Sequence, residues 1–177
     1  KTIIARTQPK HFGSLYNRFS YKGFELGLFF TYKYGVDVVN GNKHRMYKEG
    51  NKSFNRYALQ NDAWTIDNPN GTEPRPNYYR NTSDFNFSDK FVEDGSFIRL
   101  QSINIAYNFP SKVVKKLGVE SLKIYSNMVN IHICTNYTGY DPEVSVARGQ
   151  RAITSANLDY GAYPRTFNLS TGIRVGF

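Results

Sequence analysis

Asp141 and Glu143 flank Pro142, and carboxylates two residues apart are the kind of pair from which acid–base couples and calcium sites are made. A lone pair in a proline-containing turn is more often structural, and that reading is preferred over catalysis. His11, His44 and His132 are too dispersed to share a metal ion. Asp62, Asp67, Asp84, Asp89 and Asp94 make a carboxylate-bearing stretch without the ordered spacing of a calcium loop. Cys134 is the only cysteine, which excludes an intrachain disulfide. His132, two residues before it, is slight grounds for an activated thiolate. Trp64, Tyr78, Tyr79 and Tyr140 offer rings that stack on sugars or meet a partner, with loop packing and an interfacial aromatic belt as competing uses. The chemistry expected is therefore contact without reaction: no catalytic residue, no metal and no cofactor.

The net charge of +9 would attract a polyanion. The 23 Lys and Arg are scattered, however, and no block of five or six like charges occurs. The densest group, Lys43-His44-Arg45 with Lys48 and Lys52, is read as a solvated face, and nucleic acid is not an expected partner.

The elements that position these residues are strands. Aromatic residues make up 16% of a chain whose mean hydropathy is only −0.56. That pairing suits strands with one apolar and one wet face better than it suits a closed core. From Arg165 to Phe177, Phe167, Leu169, Ile173, Val175 and Phe177 share one phase, and Asn168 and Arg174 the other. From Gly23 to Tyr34, Phe24, Leu26, Leu28, Phe30, Tyr32 and Tyr34 alternate with Glu25, Gly27, Thr31 and Lys33, and only Phe29 breaks the phase. His11 to Tyr21 alternates weakly. Phe97 to Phe109 changes phase, which one extra residue near Gln101-Ser102 would reconcile as a β-bulge, and Leu122 to Ile133 slips in the same way. No run approaches the roughly 18 apolar residues of a membrane helix.

Connections alternate short and long: a tight turn at 21–23, a long stretch over 35–95, a compact link with one helical turn at 110–120, and a long stretch over 134–164. Residues 45–64 favour one or two short helices. That alternation is typical of an outer-membrane barrel, with periplasmic turns at 21–23 and 110–120 and extracellular loops at 35–95 and 134–164. The fold class expected is all-β: about five antiparallel strands of one transmembrane barrel domain. Five strands cannot close, since the smallest membrane barrels have about eight. The chain therefore reads as the C-terminal part of a larger barrel, with Phe177 a true C-terminus and Lys1 a cut. On this reading Phe24, Leu26, Leu28, Phe30, Phe167, Leu169, Ile173 and Val175 face lipid, and Glu25, Lys33, Asn168 and Arg174 face the lumen.

Several phrases in order resemble one family. Phe91-Val92-Glu93-Asp94-Gly95-Ser96-Phe97-Ile98-Arg99-Leu100 is similar to the F-V-E-D-G-S-Y-L-R-L phrase of SusC/RagA-type TonB-dependent transporters. Asn108-Phe109-Pro110, Lys116-Leu117-Gly118 and Ser121-Leu122-Lys123-Ile124-Tyr125 resemble the strand, turn and strand that follow there. Asn130, Tyr137, Gly139-Tyr140-Asp141-Pro142-Glu143, Asp159-Tyr160-Gly161 and Tyr163-Pro164-Arg165-Thr166-Phe167 resemble the closing signature. Thr7-Gln8-Pro9-Lys10 and Phe19-Ser20-Tyr21-Lys22-Gly23-Phe24 look like the upstream strand pair. Ser126 and Val129-Asn130-Ile131-His132 depart from the more typical Val and Gln-Asn-Leu-Phe.

The resemblance implies a 22-stranded barrel in the outer membrane of a Bacteroidota-type envelope, importing glycans or peptides. Implied partners are the rest of the barrel and its plug, a SusD-like surface lipoprotein, the TonB complex acting through a plug absent here, and outer-membrane lipid and lipopolysaccharide. Phe177 corresponds to the family's terminal aromatic, recognised during barrel assembly. The alternatives are a structural or accessory barrel of the same family within an envelope complex, and a soluble aromatic-rich β binding domain.

Overall fold

The computed structural model describes residues 3–47, 58–73, 88–146 and 156–177. Among these, the chain forms β1 (His11–Tyr21), β2 (Phe24–Tyr34), β3 (Asp37–Asn40), α1 (Gly41–Tyr47), β4 (Val92–Asp94), β5 (Phe97–Asn108), α2 (Ser111–Lys116), β6 (Ser121–Thr135), β7 (Leu158–Asp159) and β8 (Asn168–Gly176), with short 3-10 turns at Ala58–Asp62 and Asp89–Phe91. The long strands make one antiparallel sheet in the order β1-β2-β5-β6-β8. Each long strand thus lies beside the next long strand in the sequence, and the sheet is open at β1 and β8.

β1 and β2 pair without a slip from Tyr21↔Phe24 to His11↔Tyr34. Their turn holds Lys22 at φ 47° and Gly23 at φ 89°, the left-handed pair whose twist suits a two-residue hairpin. Gly23 is also needed sterically, because a Cβ there would lie 2.5 Å from the Asn108 carbonyl oxygen.

The phase change in β5 is a bulge. Phe29 pairs with Ser102 and Phe30 with Leu100, leaving Gln101 unpaired. On the other side, Leu100 pairs with His132 and Ser102 with Val129, so the slip in β6 falls at Asn130-Ile131. Asn130 adopts φ 57° and accepts a hydrogen bond from Gln101 Nε2 at 3.1 Å. The irregularities of two strands are one feature, seated side by side.

Register sorts the side chains into two faces. Leu15, Phe19, Phe24, Leu26, Leu28, Phe30, Ile98, Ile103, Ile105, Ile124, Leu169, Ile173 and Val175 share one. It is open: Ile173 is 65% exposed and Leu15 58%. Tyr16, Arg18, Glu25, Lys33, Arg99, Asn104, Lys123, Tyr125, Asn127, Asn168 and Arg174 share the other. Two tyrosine rings there lie across glycines of the neighbouring strand, Tyr16 over Gly27 and Tyr125 over Gly172.

The long stretches are not plain loops, as their sequence suggested. They carry a second sheet in the order β4-β3-β7, with β3 antiparallel to β4 and parallel to β7. Strands of two to four residues are too short for a period to show, and their pairing joins segments far apart in the chain. The buried apolar residues Val36, Val38, Phe91, Phe97, Tyr137 and Val144 gather at this end. Asn157 straps the cap down, its Nδ2 donating to the Thr7 carbonyl oxygen at 2.7 Å. Other boundaries also shift. The last strand is Asn168–Gly176, shorter than Arg165–Phe177, and α1 begins at Gly41, earlier than the 45–64 helical stretch.

Candidate functional site

The polar face of the sheet is covered at one end by the 137–143 segment, held there by charge. Arg99 and Asp141 are each 3% exposed, and Arg99 Nη2 meets Asp141 Oδ1 at 2.6 Å. The same oxygen accepts the Glu143 N–H at 2.9 Å. Glu143 in turn meets Lys33 Nζ at 3.0 Å and an Arg165 guanidinium nitrogen at 3.1 Å. The carboxylates keep the buried guanidinium's charge paired, while its Nε has no hydrogen-bond partner among the described residues. Asp141 and Glu143 are thus both engaged in holding this segment to the sheet.

A second knot joins α1 to the small sheet. Glu93 Oε2 accepts Thr138 Oγ1 at 2.6 Å and the Thr138 N–H at 2.9 Å, while Oε1 accepts Lys43 Nζ at 3.1 Å and Asn40 Nδ2 at 3.2 Å. Burial works to raise its pKa; the bonds from Thr138 and Lys43 outweigh it and hold the carboxyl below its ordinary 4.5. Asp159, 2% exposed, accepts Tyr137 Oη at 2.7 Å and Asn42 Nδ2 at 3.0 Å. Asp62 takes bonds from Thr72 Oγ1 at 2.7 Å and its N–H at 3.2 Å, then from Asn68, which lower its pKa. These bonds tie up the carboxylates, and no metal-holding cluster occurs among the described residues.

Toward the other end of the polar face, Glu25 meets Arg18, Lys123 and Asn108 at 3.1, 3.1 and 2.8 Å. Arg174 shares a recess with Arg18, Glu25 and Lys123 and with Tyr16 and Tyr125.

The expected contact residues are not brought together as one patch. Trp64 is 43% exposed beside the Ala63–Glu73 bridge. Tyr140, 79% exposed, opens onto a cleft shared with Tyr163, Met46, Asn40 and Asn42. Tyr78 and Tyr79 lie outside the described residues, as do Lys48, Lys52 and Asp84. The Lys43-His44-Arg45 group, expected as a solvated face, is engaged: Lys43 with Glu93, the His44 ring edge-on to Phe91, and Arg45 over the Tyr160 ring. Phe167 and Phe177 flank β8. Cys134 and His132 lie on the apolar face, opposite Ile98 and Leu100.

No family model matches the chain. Its sequence is 29% identical over its whole length to the TonB-dependent receptor P3 of Formosa agariphila. It is 30% identical over 91% of its length to the TonB-dependent receptor P26 of the same organism, and 29% identical over 51% to the TonB-dependent receptor SusC of Bacteroides thetaiotaomicron. The chain is homologous to part of the SusC-type TonB-dependent receptors. This receptor segment spans about 17% of the length of the curated relatives it matches over its full length. Its fold agrees: the RagAB peptide importer in its closed-closed state superimposes with a TM-score of 0.75 at 23% identity, over 96% of this chain and 17% of that one. The open-open state gives the same TM-score over 97% of this chain. The open sheet of the segment is thus a stretch of a receptor barrel.

In this receptor segment the phrases that carry the resemblance are also the ones whose side chains do the pinning. Glu93, Arg99, Tyr137, Asp141, Glu143, Asp159 and Arg165 all belong to them. Reasoning from residue types alone missed Glu93, Arg99 and Asp159, because each partner lies about 40 residues or more away, apart from Tyr137 beside Asp159.

Proposed function

We propose that this chain forms five adjacent wall strands of an outer-membrane importer of nutrients, glycans or peptides, working as the SusC-type receptors do. The apolar face, with Phe24, Leu26, Leu28, Phe30, Phe167, Leu169, Ile173 and Val175, lies in lipid. Glu25, Lys33, Asn168 and Arg174 face a wet lumen that a plug from elsewhere in the receptor occupies. The observation that carries this reading is the contrast between the two faces: one largely apolar and open, the other polar and covered at one end by its own ion-paired cap. An open apolar face of this extent needs a cover. The ten steps from Phe24 to Tyr34 at about 3.3 Å, tilted about 45°, rise about 23 Å, close to the apolar band of outer-membrane barrels.

Stretches 35–95 and 134–164 then lie outside the cell and turns 21–23 and 110–120 in the periplasm. Trp64 and the Tyr140 cleft are offered to nutrient or to a SusD-like lipoprotein seated over the loops. TonB acts through the plug, and Phe177 serves barrel assembly. The role is one of transport, without catalysis.

The test places single nitroxide labels in the full-length receptor, in a Cys134→Ser background, at Leu28, Leu169 and Ile173 and at Lys33, Asn168 and Arg174. In bilayers the first set is expected to collide with oxygen and the second with a water-soluble nickel chelate. The reverse pattern, or no difference, would overturn the assignment. Loss of uptake on deleting the receptor, restored by the native gene, separates an importer from a barrel that only supports an envelope complex.

A further inference from the structure

The two ends of the sheet carry opposite charge chemistry. Every Asp and Glu except Glu25 and Glu120 lies in 35–95 or 134–164, the stretches that join strands at the capped end. The turn end carries Lys22 in the β1–β2 turn and Lys112, Lys115 and Lys116 in α2. All four are exposed, and none forms an ion pair among the described residues. The turn and the helix connection are joined, since the Asn108 N–H donates to the Gly23 carbonyl oxygen at 2.8 Å.

The lysines do not stand on a polar surface. Val114 is buried beneath α2, but Leu117 is 61% exposed and Val113 40%. At the same end of the sheet Tyr21 and Phe24 are 70% and 59% exposed, with Tyr107 and Phe109 ring to ring at 4.9 Å. Gly118, at φ 71°, ends the helix and returns the chain to β6. Cations interleaved with exposed aliphatic and aromatic side chains at the rim of an apolar band are the chemistry of a headgroup layer. There apolar atoms dip below the phosphates while ammonium groups stay level with them.

We propose that the turn end of this sheet, Lys22 with α2 and Leu117, binds the phosphate groups of anionic phospholipids in the adjacent leaflet. The inference rests on the membrane reading above. The occupant is argued from charge: four exposed lysines against Glu120, with Glu25 already held by Arg18 and Lys123, favour an anionic headgroup over a zwitterionic one. Tyr21, Phe24 and Tyr107 at this end belong to the face assigned to the acyl chains. The site fixes the height of the barrel in the bilayer and gives the receptor a preferred lipid shell on one side only.

The full-length receptor is reconstituted in phosphatidylcholine bilayers with a trace of spin-labelled phosphatidylglycerol or spin-labelled phosphatidylcholine. The fraction of each label immobilised at the protein is then measured. At low salt the native receptor is expected to hold phosphatidylglycerol roughly threefold or more over phosphatidylcholine, with the preference collapsing toward unity in 1 M salt. The K112Q/K115Q/K116Q variant, with an unchanged melting profile, is expected to show that parity already at low salt. Equal association of both lipids with the native receptor, or a preference that survives the triple substitution, overturns the proposal and leaves the barrel reading standing. Immobilisation of neither label overturns both.

Discussion

Arg99 and Asp141 stabilise the cap only as a pair. Deleting Asp141 leaves Arg99 charged and buried with Glu143, at 3.7 Å, as its remaining carboxylate, at a cost of up to about 3–5 kcal/mol. In the full-length receptor, Asp141→Ala is therefore expected to open the 134–164 stretch to protease at temperatures where the native protein resists cleavage. Unchanged cleavage would remove the pair from the account. Glu93 makes a prediction in pH. Its folded pKa lies below 4.5, so its contribution is complete above that value and is lost as pH falls through the lower, folded one. Protease protection of the loops should fall in that acid window, and Glu93→Gln should weaken the dependence, with Asp62 leaving a residue of the same sign. An identical acid profile in the variant would exclude Glu93. At this scale the sequence was legible in part. The turn chemistry of Asp141-Pro142-Glu143 pointed to structure, but nothing near Glu93 in the chain announces Lys43 or Thr138 as its partners. Such contacts are set by tertiary packing, which no local pattern records.

The strands were far more legible than the connections, for a physical reason. A long strand with two different faces writes its period into a dozen residues, and β1, β2, β5 and β6 appear within a residue or two of where alternation placed them. Even the phase breaks carried information, since the one near Gln101 is the bulge. β3, β4 and β7 span two to four residues and lack that redundancy. The bulge also yields a test. β2 has no extra residue opposite Gln101, so deleting Gln101 should leave Ile98 and Ile105 on the same face and the barrel able to assemble. Inserting one residue after Leu28 should instead throw Phe30, Tyr32 and Tyr34 onto the polar face and abolish assembly. Heat-modifiable gel mobility reads both outcomes, and assembly of the insertion variant would contradict the register.

At the scale of the molecule, β1 and β8 each present an unpaired row of backbone groups beside an exposed apolar face. Edges of this kind recruit other chains. The 177 residues alone are expected to aggregate in buffer and to need detergent to stay dispersed, as light scattering would show. A monodisperse, cooperatively melting monomer would favour a soluble binding domain instead. The Asn157–Thr7 strap has a consequence in time. Its ends are 150 residues apart, whereas every long strand pairs with the next long strand along the chain. Bringing distant segments together costs more chain entropy than closing a hairpin, and contacts between such segments form late. The β3–β7 pairing and the strap, which reach farther along the chain than any contact of the wall, should therefore lock after the wall has formed. On warming the order reverses, so the cap is the first part to let go and the wall the last.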